Sequence, residues 1–159
     1  MPTYNQIAAS YNELYGEEQL NKLLIIKNNI KINKSTKILD VGCGTGISSS
    51  FDCFVIGIDP SAKLLRQNVK PLKVLGAAES LPFKNNEFDF VISITAIHNF
   101  NDIKKSIDEI KRVGNKNFVL TVLKNSRKFS LIRGLIRKNF KVEKMIEEDK
   151  DLIFFCKKP

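Results

Sequence analysis

Ile38-Leu39-Asp40-Val41-Gly42-Cys43-Gly44-Thr45-Gly46 is the stretch whose reading decides the fold. An apolar run of strand length carries one acid and enters a loop with glycine at every second position. Glycine accepts sharp turns without a Cβ penalty and lets backbone N–H groups come close to a ligand. The spacing is Gly-x-Gly-x-Gly. A dinucleotide fingerprint, Gly-x-Gly-x-x-Gly, needs glycine at position 47, which is Ile47. A phosphate loop of the Gly-Lys-Ser/Thr type is absent. Downstream stands Gly57-Ile58-Asp59-Pro60-Ser61. An acid closing a second strand is placed to accept both ribose hydroxyls in an open α/β sheet. Asp59 also suits a helix start, where the dipole stabilises it. The glycine loop one strand earlier favours binding.

Apolar runs of strand length alternate with amphipathic stretches along the rest of the chain, the pattern of an α/β fold. Strands are predicted at 37–41, 53–59, 72–76, 88–94 and 118–123. The last two are almost continuously apolar, as parallel strands covered on both faces are. Segments 142–146 and 152–156 flank a polar turn and read as an antiparallel hairpin at the sheet's edge. Helices are predicted at 5–15 and 19–30, from the Ser61 cap to about 69, from the Asp102 cap over 103–113 with Gly114 as the stop, and at 126–138. The last places Phe129, Ile132, Leu135 and Ile136 on one arc, with Arg127, Arg133, Arg137 and Lys138 opposite.

A third block, Ala77-Ala78-Glu79-Ser80-Leu81-Pro82-Phe83, precedes Phe88-Asp89-Phe90-Val91-Ile92-Ser93. With these blocks the chain resembles the class I S-adenosylmethionine-dependent methyltransferases, most closely the quinone and sterol type that acts on small molecules. The matched blocks run from about Tyr4 to Phe100. The resemblance implies a Rossmann-like, mostly parallel sheet with an antiparallel C-terminal hairpin. It implies one domain, with residues 1–34 a helical lid and 35–159 the α/β core. It implies S-adenosyl-L-methionine as cofactor and S-adenosyl-L-homocysteine as product. Asp40, Gly42, Cys43, Gly44 and Gly46 would border the methionine part and the ribose. Asp59 would hold the ribose hydroxyls, with Pro60 beside the adenine. Ala78 would offer its N–H to the adenine edge, Leu81 or Phe83 an apolar wall. Ser93 and Ile94 would lie beside the sulfonium. Tyr11 matches the family's lid tyrosine, an aromatic face suited to a positive sulfur; core packing is its other reading.

Two departures stand out. The family often has Asp before Ala-Glu, accepting from the adenine amino group; here that residue is Ala77. Glu79 or the backbone would have to take over. Only 47–52 separates the glycine loop from the second strand, so the first crossover helix shrinks to a turn at most. One sheet face is then left for the N-terminal helices or a partner to cover.

Composition bounds the rest. The chain has 159 residues, a net charge of +9, one histidine and three cysteines. That length buries a sizeable core without staples. The cysteines lie far apart, which argues against a disulfide framework or zinc site and for a reducing, cytoplasmic setting. The apolar runs are too short to span a membrane, and the first residues lack the pattern of a secretory signal. His98, just past the fourth strand, is the sole histidine and the candidate general base; a structural hydrogen bond is its other reading. From Lys111 to Lys141 there are ten Lys or Arg and no acid. That segment is a solvated face or the footprint of an anionic partner such as RNA. The expected activity is methyl transfer to a small molecule. The alternatives are transfer to tRNA or rRNA through Arg127, Arg133, Arg137 and Lys138, and a non-catalytic accessory subunit. With short insertions, the pocket is open, completed by a second copy, or suited to a large substrate.

Overall fold

The computed structural model describes the backbone of residues 4–159 and the side chains of residues 14–159. Tyr11 therefore falls outside the residues whose side chains are described. The chain divides into two compact units, Met1–Lys31 and Ile32–Pro159. The boundary falls three residues before the 34/35 junction predicted above.

The first unit is a single helix, α1 (Tyr4–Asn29), where the sequence suggests two. Gly16 is the break between the predicted pair. One isolated glycine costs a helix only about 1 kcal/mol, too little to divide this 26-residue helix. Asn29 closes the helix, its Nδ2 donating to the Ile25 carbonyl at 2.8 Å.

The second unit runs β1 (Lys37–Val41), β2 (Phe54–Asp59), α2 (Ala62–Gln67), β3 (Lys73–Leu75), β4 (Phe88–Ser93), α3 (Ile103–Val113), β5 (Gly114–Leu123), α4 (Phe129–Asn139), β6 (Lys141–Glu147) and β7 (Asp151–Lys157). The strands form one seven-stranded sheet in the order β3-β2-β1-β4-β5-β7-β6. Pairings among β1 to β5 are parallel; β7 pairs antiparallel with both β5 and β6. The fold is thus the doubly wound sheet with a reversed C-terminal hairpin that the sequence predicts. The carboxyl ends of β1, β2 and β4 share one edge, the position where open α/β sheets bind ligands.

Burial explains the strand assignments. Ile38, Leu39, Val41, Phe88, Val91, Ile92, Phe118 and Leu120 are nearly inaccessible, so residues of both parities along these strands are covered. β5 starts four residues before the predicted 118. Asn115 and Lys116 are exposed there and give no apolar signal. The ring of Phe118 packs over Gly114 instead, where a Cβ would stand only 2.3 Å from it. Phe118 also meets Phe140 at 4.6 Å between ring centroids. In α3, Ile103, Ile107, Ile110 and Val113 form the buried stripe, and Asp102 caps the helix by accepting from the Lys105 N–H at 3.0 Å. α4 begins three residues later than predicted, because Ser126 accepts from the Lys128 N–H and closes a turn before the helix.

Ile107 is fully buried, and Lys104, on the same helix, has 71% of its side chain exposed. Ile107→Ala is expected to cost about 2–5 kcal/mol. Lys104→Ala is expected to stay within about 0.5 kcal/mol. Urea denaturation of the two variants checks both values.

Candidate functional site

The loop after β1 is built by backbone geometry. Gly42, Gly44 and Gly46 have φ of 80°, 52° and 85°, all in the left-handed region. Any side chain at Gly42 would be strained by φ and would put its Cβ 2.5 Å from the Ala96 Cβ. Its close approach ties the loop to the segment after β4. At Gly44 a Cβ would meet, among the described residues, only a Leu64 methyl, at 3.7 Å, so no other described residue crowds the backbone there.

Four N–H groups of the loop, those of Gly42, Cys43, Gly44 and Gly46, bond to the protein. Gly42 and Cys43 both donate to the Ile58 carbonyl, at 2.8 and 3.1 Å, and Gly46 donates to Cys43 at 2.9 Å. Gly44 donates to Asp59 Oδ2 at 2.9 Å. This corrects the expectation that these groups meet a ligand directly. Phosphates need free N–H donors or cations. Among the described residues, no Lys or Arg side chain hydrogen-bonds to 42–46. The loop is therefore poorly suited to a dinucleotide pyrophosphate.

Two carboxylates dominate instead. Asp59 is buried, and its oxygens accept from the Gly44 and Ser61 N–H groups, the latter at 2.8 Å. Each oxygen keeps a further acceptor position. Asp40 is wholly buried, and its Oδ2 accepts from the Ser49 hydroxyl at 2.5 Å and the Ser48 hydroxyl at 3.5 Å. Its Oδ1 has no hydrogen-bond partner among the described residues. Burial pushes the Asp40 carboxyl up to about 6, with Ser49 and Ser48 acting in the opposite direction. Burial, with the nearby Asp40 and Asp59, also pushes the Cys43 thiol up to about 12, so it is no nucleophile at neutral pH. An open glycine, a carboxylate with spare acceptor positions and an unsatisfied buried anion fit a ligand that brings hydroxyl donors and positive charge. S-adenosylmethionine has both. The residues fit the cofactor the resemblance implies.

Ser48 and Ser49 were not singled out from the sequence. They lie in a one-turn 3-10 segment, Ile47–Ser49, which is all that remains of the first crossover helix. The signal was available: a buried carboxylate needs donors, and the loop is followed by three serines. Asn68 had no such signal. Buried just after α2, it donates Nδ2 to the Gly44 carbonyl at 3.1 Å and lies under Gly46, where a Cβ would meet its Oδ1 at 2.5 Å. The short crossover also leaves a cavity of about 290 Å³ bordered by Ser49, Phe51, Phe54, Asn68 and Leu72.

The other candidates occupy varied places. Pro60 is exposed beside Asp59. Ser93 is fully buried, and its hydroxyl donates to the Val41 carbonyl at 2.9 Å, locking β4 to β1. Ile94 is buried and precedes Thr95, whose φ of 52° is rare for a β-branched residue. Ala78 is buried, and Glu79 accepts from the Asp102 N–H at 3.1 Å. Leu81 is in the core, and Phe83 packs edge-on against Phe88. His98 is half-buried in the 3-10 turn Ile97–Asn99, and its carbonyl accepts from Lys128 Nζ at 3.2 Å. Arg127, Arg137 and Lys138 are exposed. Arg133 does not join them on one open arc: it is half-buried, its guanidinium 5.4 Å from the centre of the Phe129 ring.

The raised Asp40 carboxyl has a stability consequence. Between its ordinary value of 3.8 and about 6 the unfolded chain releases this proton while the folded chain keeps it. Stability from this group is therefore fully present below 3.8 and lost as pH rises toward 6, by roughly 2–3 kcal/mol. Asp40→Asn removes that dependence. Urea melts at acid and neutral pH should show the variant gaining on the wild type by this amount at neutral pH. Parallel pH profiles would contradict the assignment.

Comparison with known proteins places the chain. The family model described as "Methyltransferase domain" matches residues 39–121. An uncharacterized protein of Methanocaldococcus jannaschii is 33% identical over 147 residues, 87% of this chain and 57% of that protein. The tRNA (carboxymethyluridine(34)-5-O)-methyltransferase of Saccharomyces cerevisiae is 30% identical over 71% of this chain and 42% of its own length. The demethylmenaquinone methyltransferase of Thermotoga maritima is 26% identical over 82% of this chain and 65% of its own. The chain thus spans little more than half of the first relative and less than half of the yeast enzyme. With the fold, the glycine loop and the acid closing β2 in one arrangement, the chain belongs to the class I S-adenosylmethionine-dependent methyltransferases.

Proposed function

We propose that this chain binds S-adenosylmethionine at the carboxyl edge of β1, β2 and β4 and transfers its methyl group to a small-molecule acceptor. The observation that carries the reading is Asp59, a buried carboxylate with spare acceptor positions next to the open face of Gly44. The cofactor supplies a methyl group on a positively charged sulfur, activated for displacement. Asp59 accepts the ribose hydroxyls, a charge-assisted contact. Asp40 contributes negative charge on the methionine side, where its unpartnered oxygen leaves a field that a cation relieves. Ala78 meets the adenine edge. Positioning of this kind supplies much of the catalysis in a displacement that is already activated. His98 takes up the acceptor's proton where the acceptor carries one. The three cysteines are free thiols. Among the described residues no helix is long and apolar enough to cross a membrane.

The small-molecule reading draws support from the demethylmenaquinone relative and from Arg133, whose side chain lies on Phe129 and thins the basic face. Transfer to RNA is the second reading. The exposed Arg127, Arg137 and Lys138 favour it, as does the likeness to a tRNA methyltransferase.

Titration calorimetry with S-adenosylhomocysteine tests the cofactor site. Asp59→Ala is expected to weaken binding roughly ten- to hundredfold, the value of lost hydrogen bonds to a charged group. NAD is expected not to bind. Unchanged affinity in the variant would sink the assignment. For RNA, filter binding of tRNA transcripts at several salt concentrations decides. Each phosphate contact contributes a slope of about 0.7–0.9 on logarithmic axes. The small-molecule reading expects no salt-sensitive binding. A slope of several units, reduced by Arg137→Glu with Lys138→Glu, would overturn it.

A further inference from the structure

Residues 76–87 join β3 to β4 without a helix or strand between them. This loop carries Ala78, the residue assigned to the adenine edge. An irregular loop keeps one shape only when its backbone groups have partners. Two side chains on α3 supply them. Glu109 Oε2 accepts from the Leu81 N–H at 2.8 Å. Arg112 donates from Nη2 to the Leu81 carbonyl at 2.9 Å, and from Nη1 to the Phe83 carbonyl at 2.8 Å and Asn85 Oδ1 at 3.0 Å. The same guanidinium grips Glu109 through Nε at 2.7 Å and Nη2 at 2.9 Å. The Arg112 carbonyl accepts from the Asn86 N–H at 2.9 Å. Only a planar fork of donors can serve two carbonyls, an amide and a carboxylate at once; lysine cannot. The Arg112 hydrogen bond holds the Glu109 carboxyl below the usual range, and Glu109 in turn raises Arg112, as expected of a pair charged at all working pH.

The loop's own acids are engaged elsewhere: Glu87 accepts from the Lys84 N–H at 2.9 Å. Ala77 stands where the family often has an aspartate, and Glu79 is engaged with the Asp102 N–H. Recognition of the adenine edge therefore falls to backbone groups, and their placement depends on what holds the loop. We propose that Glu109 and Arg112 are positioning residues that fix the backbone at Leu81 and Phe83, and through it the Ala78 N–H, which adenine N1 accepts and the protonated N1 of hypoxanthine does not, so that the site selects adenine over 6-oxopurines. The proposal rests on the reading of this edge as the S-adenosylmethionine site.

The test compares two ligands, S-adenosylhomocysteine and S-inosylhomocysteine, in which a carbonyl oxygen replaces the adenine amino group. Both are titrated into the full chain at a temperature where circular dichroism shows each variant folded. The wild type is expected to prefer the adenosyl ligand. Arg112→Lys and Glu109→Gln are expected to lose about tenfold in affinity for it and much less for the inosyl ligand, so that the preference collapses. Lys104→Ala, exposed on the same helix, should leave both affinities unchanged. Asn85→Ala removes one outer arm and leaves the ion pair; it should lower the preference about threefold, and it decides the matter should Arg112→Lys not fold. Folded variants that keep the wild-type preference, or lose both ligands equally, overturn the proposal. A wild type that binds neither ligand overturns the cofactor reading, and this inference with it.

Discussion

One carboxylate holds two loops. Asp59 takes the Gly44 N–H of the loop after β1 on one oxygen and the Ser61 N–H at the start of α2 on the other. The first of these crosses between adjacent parallel strands; the second sets the entry to a helix that Ser61 then caps by accepting from the Leu64 N–H. Ile58, one residue earlier, receives both Gly42 and Cys43. The last two residues of β2 thus fix the glycine loop, and the carboxylate that does so is the one placed to bind a ribose. Structure and recognition use the same group. That is economical, because a carboxylate has more acceptor positions than two N–H donors occupy.

The short first crossover shapes the rest of the site. A full helix there would present its N-terminal dipole to the loop. One 3-10 turn cannot, and two serine hydroxyls reach Asp40 in its place. Support from below comes from Asn68, which follows α2 and bonds to the Gly44 carbonyl. The polar environment is built from side chains, those of Ser48, Ser49 and Asn68. The cavity beside Phe51 and Phe54 lies directly after this short turn.

The fold was legible because its signals are local. Apolar runs, the caps at Ser61 and Asp102, and the stop at Gly114 each mark an element from within a few residues. Length alone gave the shortened crossover. What escaped depends on contacts distant in sequence. Asn68 lies 24 residues from Gly44, and Arg112 lies 31 from Leu81. In the sequence Glu109 and Arg112 are simply polar residues on the outer face of a helix. The same limit applies to the basic arc. Helical spacing puts Arg133 beside Arg137, but only packing reveals that it lies along Phe129. Most N–H groups of the glycine loop are likewise covered, because Gly42, Cys43 and Gly44 find acceptors at the end of the neighbouring strand.

The most direct test of the central claim is a crystal structure of this chain grown with S-adenosylhomocysteine. The account predicts both ribose hydroxyls within hydrogen-bonding distance of the Asp59 carboxylate, the adenine against Ala78, and the homocysteine end on the Asp40 side of the glycine loop. Ligand bound at another edge of the sheet, or ribose hydroxyls turned away from Asp59, would contradict it.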